Sequence, residues 1–247
     1  MRVSPLFSHG VPMIKMSRLP GGEPEIFSSI QGEGVSMGVP SVFVRLSLCN
    51  LRCTWCDTKY TWDWEHYDPT TEIVTLDVPE ILQRVEAGKS RNVVITGGEP
   101  LQQQGPLVAL ATALRQSGKR LEIETNGTYR PIPELADLIN QWNVSPKLAN
   151  SGNEPGKRDV PEAMTWFAAA PDAYFKFVVA GEDDLAELQT LVARYAIPVE
   201  RVLLMPEGRD PVALRQRSLW LVDQCREHGY RFSTRLHVIL WGDKRGR

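Results

Sequence analysis

From residue 25 onward the chain alternates between two hydrophobic periods. Short β-branched or apolar runs at 25–30, 42–46, 92–96, 121–124, 142–145, 174–179, 201–205 and 236–240 read as strands. Apolar positions three and four apart predict helices over 78–87, 106–116, 133–140, 161–169, 183–195 and 211–228. Strands and helices alternating through short links predict an α/β fold, a parallel sheet with helices on one or both faces. No linker, composition shift or repeat divides the pattern, so residues 23–247 are expected to form a single domain. Residues 1–22 read as a poorly structured leader, with Met16 an alternative start. Residues 58–77, rich in Tyr60, Trp62, Trp64, Tyr67 and turn formers, read as an irregular cover.

In such a fold the C-terminal strand ends converge on one rim, which is where ligands bind. The distinctive segments fall there. Arg45 closes one predicted strand, Thr96-Gly97-Gly98-Glu99-Pro100 follows the next, and Glu124-Thr125-Asn126-Gly127 the one after. Ser145-Pro146-Lys147, Met205-Pro206-Glu207-Gly208 and His237 complete the set.

Composition narrows the partners. At 42% hydrophobic and 23% charged residues, with a net charge of −2, the chain has no electrostatic reason to bind nucleic acid or a membrane surface. The basic residues Lys244, Arg245 and Arg247 read as a solvated tail. No apolar run reaches a membrane span, and the first twenty residues lack the apolar core of a signal peptide. Four cysteines, three of them clustered, are no disulfide framework and suit a reducing cytoplasm.

The cluster is Cys49-Asn50-Leu51-Arg52-Cys53-Thr54-Trp55-Cys56-Asp57-Thr58. Three thiolates on one tight loop form a metal-binding face. A structural zinc site or a simple electron-transfer cluster takes four protein ligands. The fourth cysteine, Cys225, is remote and falls at an inward-facing helical position, where it reads as a small buried hydrophobe. Three ligands on a four-iron cluster would leave one iron open to a cofactor; zinc, a four-ligand cluster or metal-free reactive thiols are the alternatives.

Other segments carry weaker signals, each with a plain structural reading beside it. Gly97 and Gly98 would let backbone groups approach a ligand, with the Glu99 carboxylate able to hold an ammonium, or they form a tight β–α turn. Gln31-Gly32-Glu33-Gly34 offers an amide and a carboxylate to a heterocycle edge, or is a polar turn. Arg45, inside an apolar strand, must meet a carboxylate from protein or ligand. Asp57 and Thr58 supply two hard oxygens suited to magnesium, or cap a helix. His237, in a late apolar run, reads as a satisfied core histidine unless it faces a site. His9, His66 and His228 have no clustered partners and read as surface.

Together these motifs resemble the 7-carboxy-7-deazaguanine synthases, a family of radical S-adenosylmethionine lyases. The resemblance is carried by Glu25-Ile26-Phe27, Ser29 through Gly34, Cys49 through Thr58, Ile95 through Pro100 and Glu124 through Thr128. It implies a modified, incomplete (β/α) barrel that converts 6-carboxy-5,6,7,8-tetrahydropterin to 7-carboxy-7-deazaguanine and ammonia. The implied cofactors are a [4Fe–4S] cluster, S-adenosylmethionine and Mg²⁺, with a homodimer and an external electron donor of flavodoxin or ferredoxin type. Carried over residue by residue, Cys49, Cys53 and Cys56 would hold the cluster, and Thr58 with Asp57 would hold Mg²⁺. Gly98, Glu99, Ser145, Pro146 and Lys147 would hold S-adenosylmethionine. Ile30, Gln31, Gly32, Glu33, Arg45, Thr96 and His237 would shape the pterin pocket. Met205 stands where a polar ribose contact is expected, and the tail beyond His237 is longer than in relatives whose terminal carboxylate meets the substrate. The rival readings are a radical activase acting on a protein and a non-catalytic metal module.

Overall fold

The computed structural model describes residues 12–247. Ten strands form one sheet: β1 (Met13–Ser17), β2 (Ile26–Ile30), β3 (Pro40–Leu46), β4 (Ile73–Asp77), β5 (Asn92–Gly97), β6 (Arg120–Thr125), β7 (Gln141–Val144), β8 (Ala173–Val179), β9 (Val202–Pro206) and β10 (Arg231–Phe232). The order is β10-β9-β8-β7-β6-β5-β3-β1-β4, with β2 also on β3. From β3 to β10 the pairs along this path are parallel; β1, β2 and β4 join antiparallel. The helices between them are α1 (Pro69–Glu72), α2 (Val78–Ala87), α3 (Gln104–Gln116), α4 (Pro133–Ala136), α5 (Pro155–Arg158), α6 (Pro161–Ala169), α7 (Glu182–Arg194), α8 (Pro211–His228) and α9 (Leu236–Trp241).

Strand periodicity explains the layering. In β3, β5, β6, β7, β8 and β9 one set of alternate residues is apolar: Val42, Val44, Val93, Ile95, Leu121, Ile123, Trp142, Val144, Phe175, Phe177, Val202 and Leu204. These pack with Leu107, Leu110, Val85, Phe167, Leu188 and Leu221 from the helices into one core. The other set is largely polar: Arg45, Asn92, Thr96, Glu122, Glu124, Gln141, Asn143 and Lys176. A parallel sheet covered on both sides would be apolar on both. Here helices cover one face, and the opposite face curves around a polar interior, the partial barrel that the motifs implied. Every buried polar side-chain atom among the described residues has a hydrogen-bond partner.

Three expectations need correction. The leader is structured over its described part: Met13–Ser17 is β1, paired with β4 from Met13 to Ser17, and Ile14 and Met16 are fully buried. Residues 1–11, including His9, lie outside the described residues. The cover at 58–77 ends in β4, whose pairing partner is that first strand, so neither could be read without the other. The run 236–240 is helix α9 and not a strand, because a continuous apolar stretch carries no period of its own; Gly242 N donates to Val238 O at 2.8 Å and closes the helix.

Candidate active site

The cysteine loop follows β3 and is locked from two sides. Gly98 N donates to Leu46 O and Glu99 N to Leu48 O at 3.1 and 2.7 Å. A Cβ on Gly98 would stand 2.0 Å from Leu48 O, and one on Gly97 (φ +138°) 2.1 Å from Leu46 O. The two glycines are therefore required by contact with the cysteine loop itself. On the far side, Arg52 N donates to Asn153 Oδ1 (2.9 Å) and Thr54 N to Ser151 O (3.0 Å), while Trp55 Nε1 donates to Asn150 Oδ1 (3.2 Å). Asn50 joins Thr128 and Asn126, each at 2.9 Å.

Cys49, Cys53 and Cys56 are free thiols that face one cavity of about 470 Å³, within the range of small-molecule sites. Burial pushes the Cys49 thiol up to about 12 and raises that of Cys53; as thiolates they need a cation. Among the described residues no group of three His, Cys, Asp or Glu side chains is preformed around a single metal ion. Three thiols lining one cavity, with no fourth cysteine beside them, suit a cluster in which each sulfur takes its own iron. Cys225 is absent from the cavity lining; its Sγ rests on Arg231 O, between α8 and β10.

The same cavity carries a charged wall. Arg45 Nε donates to Glu25 Oε1 at 2.9 Å, and Tyr60 Oη donates to the same oxygen at 3.0 Å. Glu33 is bound by Lys176 and, at 3.0 Å, by Arg235 Nε; Arg235 also reaches Asp57. Burial pushes the Glu33 carboxyl up, but Lys176 and Arg235 outweigh it and hold it well below the usual carboxylate range. Burial lowers the His237 imidazole below its ordinary value, against the pull of Glu33. Thr96 Oγ1 donates to Glu124 Oε2 (2.6 Å) and Gln31 Nε2 to Glu124 Oε1 (3.1 Å). Gly32 allows the close approach of His237, since a Cβ there would meet the ring Nδ1 at 2.2 Å.

The cavity brings together all the sequence-predicted site residues except Glu99 and Pro146. Glu99 is fully buried, and its oxygens accept from Leu101 N (2.9 Å), Thr125 Oγ1 (2.8 Å) and Asn126 N (2.7 Å). Its carboxylate thus ties the end of β6 and the turn at Leu101 to the glycine pair. Met205–Gly208 does line the cavity, as does the tail. Arg245 stacks 3.4 Å above the Tyr60 ring and pairs with Glu25 (3.3 Å) and Glu72 (2.9 Å), so within the basic tail Arg245 is packed, while Lys244 and Arg247 are exposed as expected.

Lys176, Glu124, Glu25, Arg235 and Asn153 went unassigned in the sequence. Lys176 had a readable signal, a charge inside the apolar strand Tyr174-Phe175-Lys176-Phe177, the same logic that picked out Arg45. Glu124 alternates with Leu121 and Ile123 in the same way. Nothing local marks Asn153.

Residues 44–151 match the radical SAM superfamily. The chain is 42% identical over 228 residues to the 7-carboxy-7-deazaguanine synthase of Pyrobaculum aerophilum, covering 90% of this chain and 96% of that protein. It is 38% identical to that of Halobacterium salinarum, over 89% and 90% of the two chains. The crystal structure of QueE from Escherichia coli matches with a TM-score of 0.66 at 26% identity, over 91% of this chain and 95% of that one. Streptococcus suis SuiB bound to S-adenosylmethionine shares the fold at 16% identity, with a TM-score of 0.52 over 77% of this chain and 49% of that one.

Proposed function

Because the chain belongs to the 7-carboxy-7-deazaguanine synthase family of radical S-adenosylmethionine enzymes, we propose that Cys49, Cys53 and Cys56 bind its [4Fe–4S] cluster and that the charged wall of the same cavity holds the pterin. The protein is a carbon–nitrogen lyase that converts 6-carboxy-5,6,7,8-tetrahydropterin to 7-carboxy-7-deazaguanine in queuosine biosynthesis. The observation that carries the residue assignment is one cavity lined both by three free thiols and by Arg45, Thr96, Glu33 and His237. When bound, the cluster and S-adenosylmethionine supply the hydrogen-abstracting radical chemistry of the superfamily.

The chain's own residues position and shield. Arg45 keeps Nε on Glu25 and turns the rest of its guanidinium to the substrate carboxylate, a charge-assisted contact that fixes orientation. Lys176 and Arg235 keep Glu33 ionised as an acceptor for the pterin N–H edge, and the neutral His237 imidazole adds one donor or acceptor beside it. Glu124, itself in the cavity wall, holds Gln31 and Thr96 in place. Gly98, Ser145 and Lys147 line the cofactor half, with the Lys147 ammonium 2.8 Å from Ser145 Oγ.

Thr58 and Asp57 form the Mg²⁺ site in this reading: two hard oxygens fit a cation that keeps several waters, and Arg235 holds the Asp57 carboxyl below its usual range despite burial. The reading includes a homodimer and a flavodoxin- or ferredoxin-type donor. No described helix is long and apolar enough to cross a membrane.

The test is anaerobic reconstitution followed by incubation with carboxytetrahydropterin, S-adenosylmethionine and a reductant. Wild-type protein is expected to yield 7-carboxy-7-deazaguanine by mass spectrometry, and Cys53→Ala to yield none for want of four irons. Product from the iron-free variant overturns the assignment.

A further inference from the structure

Two side-chain N–H groups are aimed at the sulfurs of the proposed ligands. Trp62 Nε1 lies 3.4 Å from Cys56 Sγ, and Asn153 Nδ2 lies 3.3 Å from Cys53 Sγ. They reach the loop from separate parts of the chain. Trp62 ends the single turn Lys59–Thr61 after the third cysteine, whereas Asn153 lies 100 residues beyond Cys53, in the loop after β7. An indole N–H is donor only, and Cys56 Sγ is the partner the structure gives it. Asn153 is fixed by its own bonds: Oδ1 accepts from Arg52 N at 2.9 Å, and Nδ2 also reaches Ser151 Oγ at 3.2 Å. Asn153 is therefore held in place whether or not metal is present.

We infer that Trp62 and Asn153 set the reduction potential of the cluster by donating hydrogen bonds to two of its three cysteinyl sulfurs. The inference rests on the ligand assignment above. A neutral thiol is a weak acceptor, and a metal-bound thiolate is a stronger one. One-electron reduction, with the electron taken from an external one-electron donor, adds a negative charge that spreads onto the thiolates. A fixed N–H dipole pointing at that sulfur therefore binds the reduced state more tightly than the oxidised one and raises the potential. The effect brings the reduced cluster within reach of a low-potential protein donor without altering the ligand set.

Trp62→Phe tests this, because it keeps the ring and deletes the N–H. With iron and sulfide content as in wild type, the midpoint from an anaerobic titration followed by electron paramagnetic resonance is expected to fall. A tenfold change in the reduction equilibrium corresponds to about 59 mV for one electron. Asn153→Leu is expected to shift it in the same direction. Trp64→Phe, an exposed tryptophan nearby that does not line the cavity, is expected to leave it unmoved.

A loaded Trp62→Phe cluster with an unchanged or higher midpoint overturns the inference alone. If that variant loads no iron, wild-type protein labelled with ¹⁵N at the indole nitrogens decides: a ¹⁵N coupling to the reduced cluster spin supports the bond, and its absence overturns it. Wild-type protein that takes up no four-iron cluster overturns the ligand assignment, and this inference with it.

Discussion

Replacing Glu33 by Gln removes one charge and nearly no volume from the centre of the wall. Its side chain is 14% exposed, and those of Lys176 and Arg235 are 10% exposed each, so Lys176 would lose its ion pair and Arg235 would keep only Asp57 in a poorly hydrated site. At 3.0 Å, the Arg235–Glu33 attraction alone amounts to about 5.5 kcal/mol at an effective dielectric of about 20. The cost of desolvating the three groups offsets much of that in the intact protein. Removing one partner loses the attraction and leaves the desolvation cost, which is why broken buried pairs cost about 3–5 kcal/mol. Gln still accepts hydrogen bonds, so the lower end, about 3 kcal/mol, is expected. Urea unfolding of iron-free protein measures it as a lower midpoint at unchanged slope.

The pH dependence supplies a second check on Glu33. Its folded pKa is depressed, so its contribution is fully present above the unfolded value of 4.5 and is lost as pH falls below it. The gap between wild type and Glu33→Gln should therefore be constant near neutrality and shrink on acidification. In a cycle with Lys176→Met, a coupling of about 1–3 kcal/mol is expected. A Glu33→Gln cost under about 1 kcal/mol, or a gap that widens in acid, would refute the reasoning.

Further outcomes follow from other contacts. Arg45→Ala is expected to lower kcat/KM by about 100-fold or more, the value of a lost charge-assisted contact, with iron content unchanged; a wild-type KM in steady-state assays would contradict its role. Gly98→Ala, which places a Cβ against Leu48 O, is expected to displace the cysteine loop and cut iron uptake on reconstitution. Burial pushes the Cys225 thiol up to about 11, so iodoacetamide at neutral pH should leave it unmodified in the folded protein, as peptide mapping would show. Asn126→Ala is expected to loosen the loop less than Gly98→Ala, since it deletes contacts without creating a clash, read as a smaller loss of iron per chain.

Much of the fold was written in local patterns. The alternation in Val42–Leu46 and Tyr174–Val179 settled those strands because half their residues must meet helices. What failed was non-local. Met13–Ser17 and Ile73–Asp77 are strands chiefly because they pair with each other across some sixty residues, and no short window contains both. At the site, residue types with rigid chemical demands were legible: three spaced thiols, two adjacent glycines, a guanidinium in an apolar strand. Glu99 shows the limit. Its position in the motif was visible, but the three donors that bind its carboxylate come from Leu101, Thr125 and Asn126, two of them at the end of another strand. Arg235 could not be foreseen either, since it meets Glu33 and Asp57 from 202 and 178 residues away.

The sheet assigns its two faces to different tasks, apolar residues toward the helices and ionisable ones toward the ligands. Because neighbouring residues on a strand point opposite ways, a change at 45, 96, 124 or 176 need not disturb the packing of 44, 95, 123 or 177. Recognition can therefore drift while the framework is inherited intact, and a scaffold of this kind is open to being retuned toward other small heterocycles by editing alternate positions only.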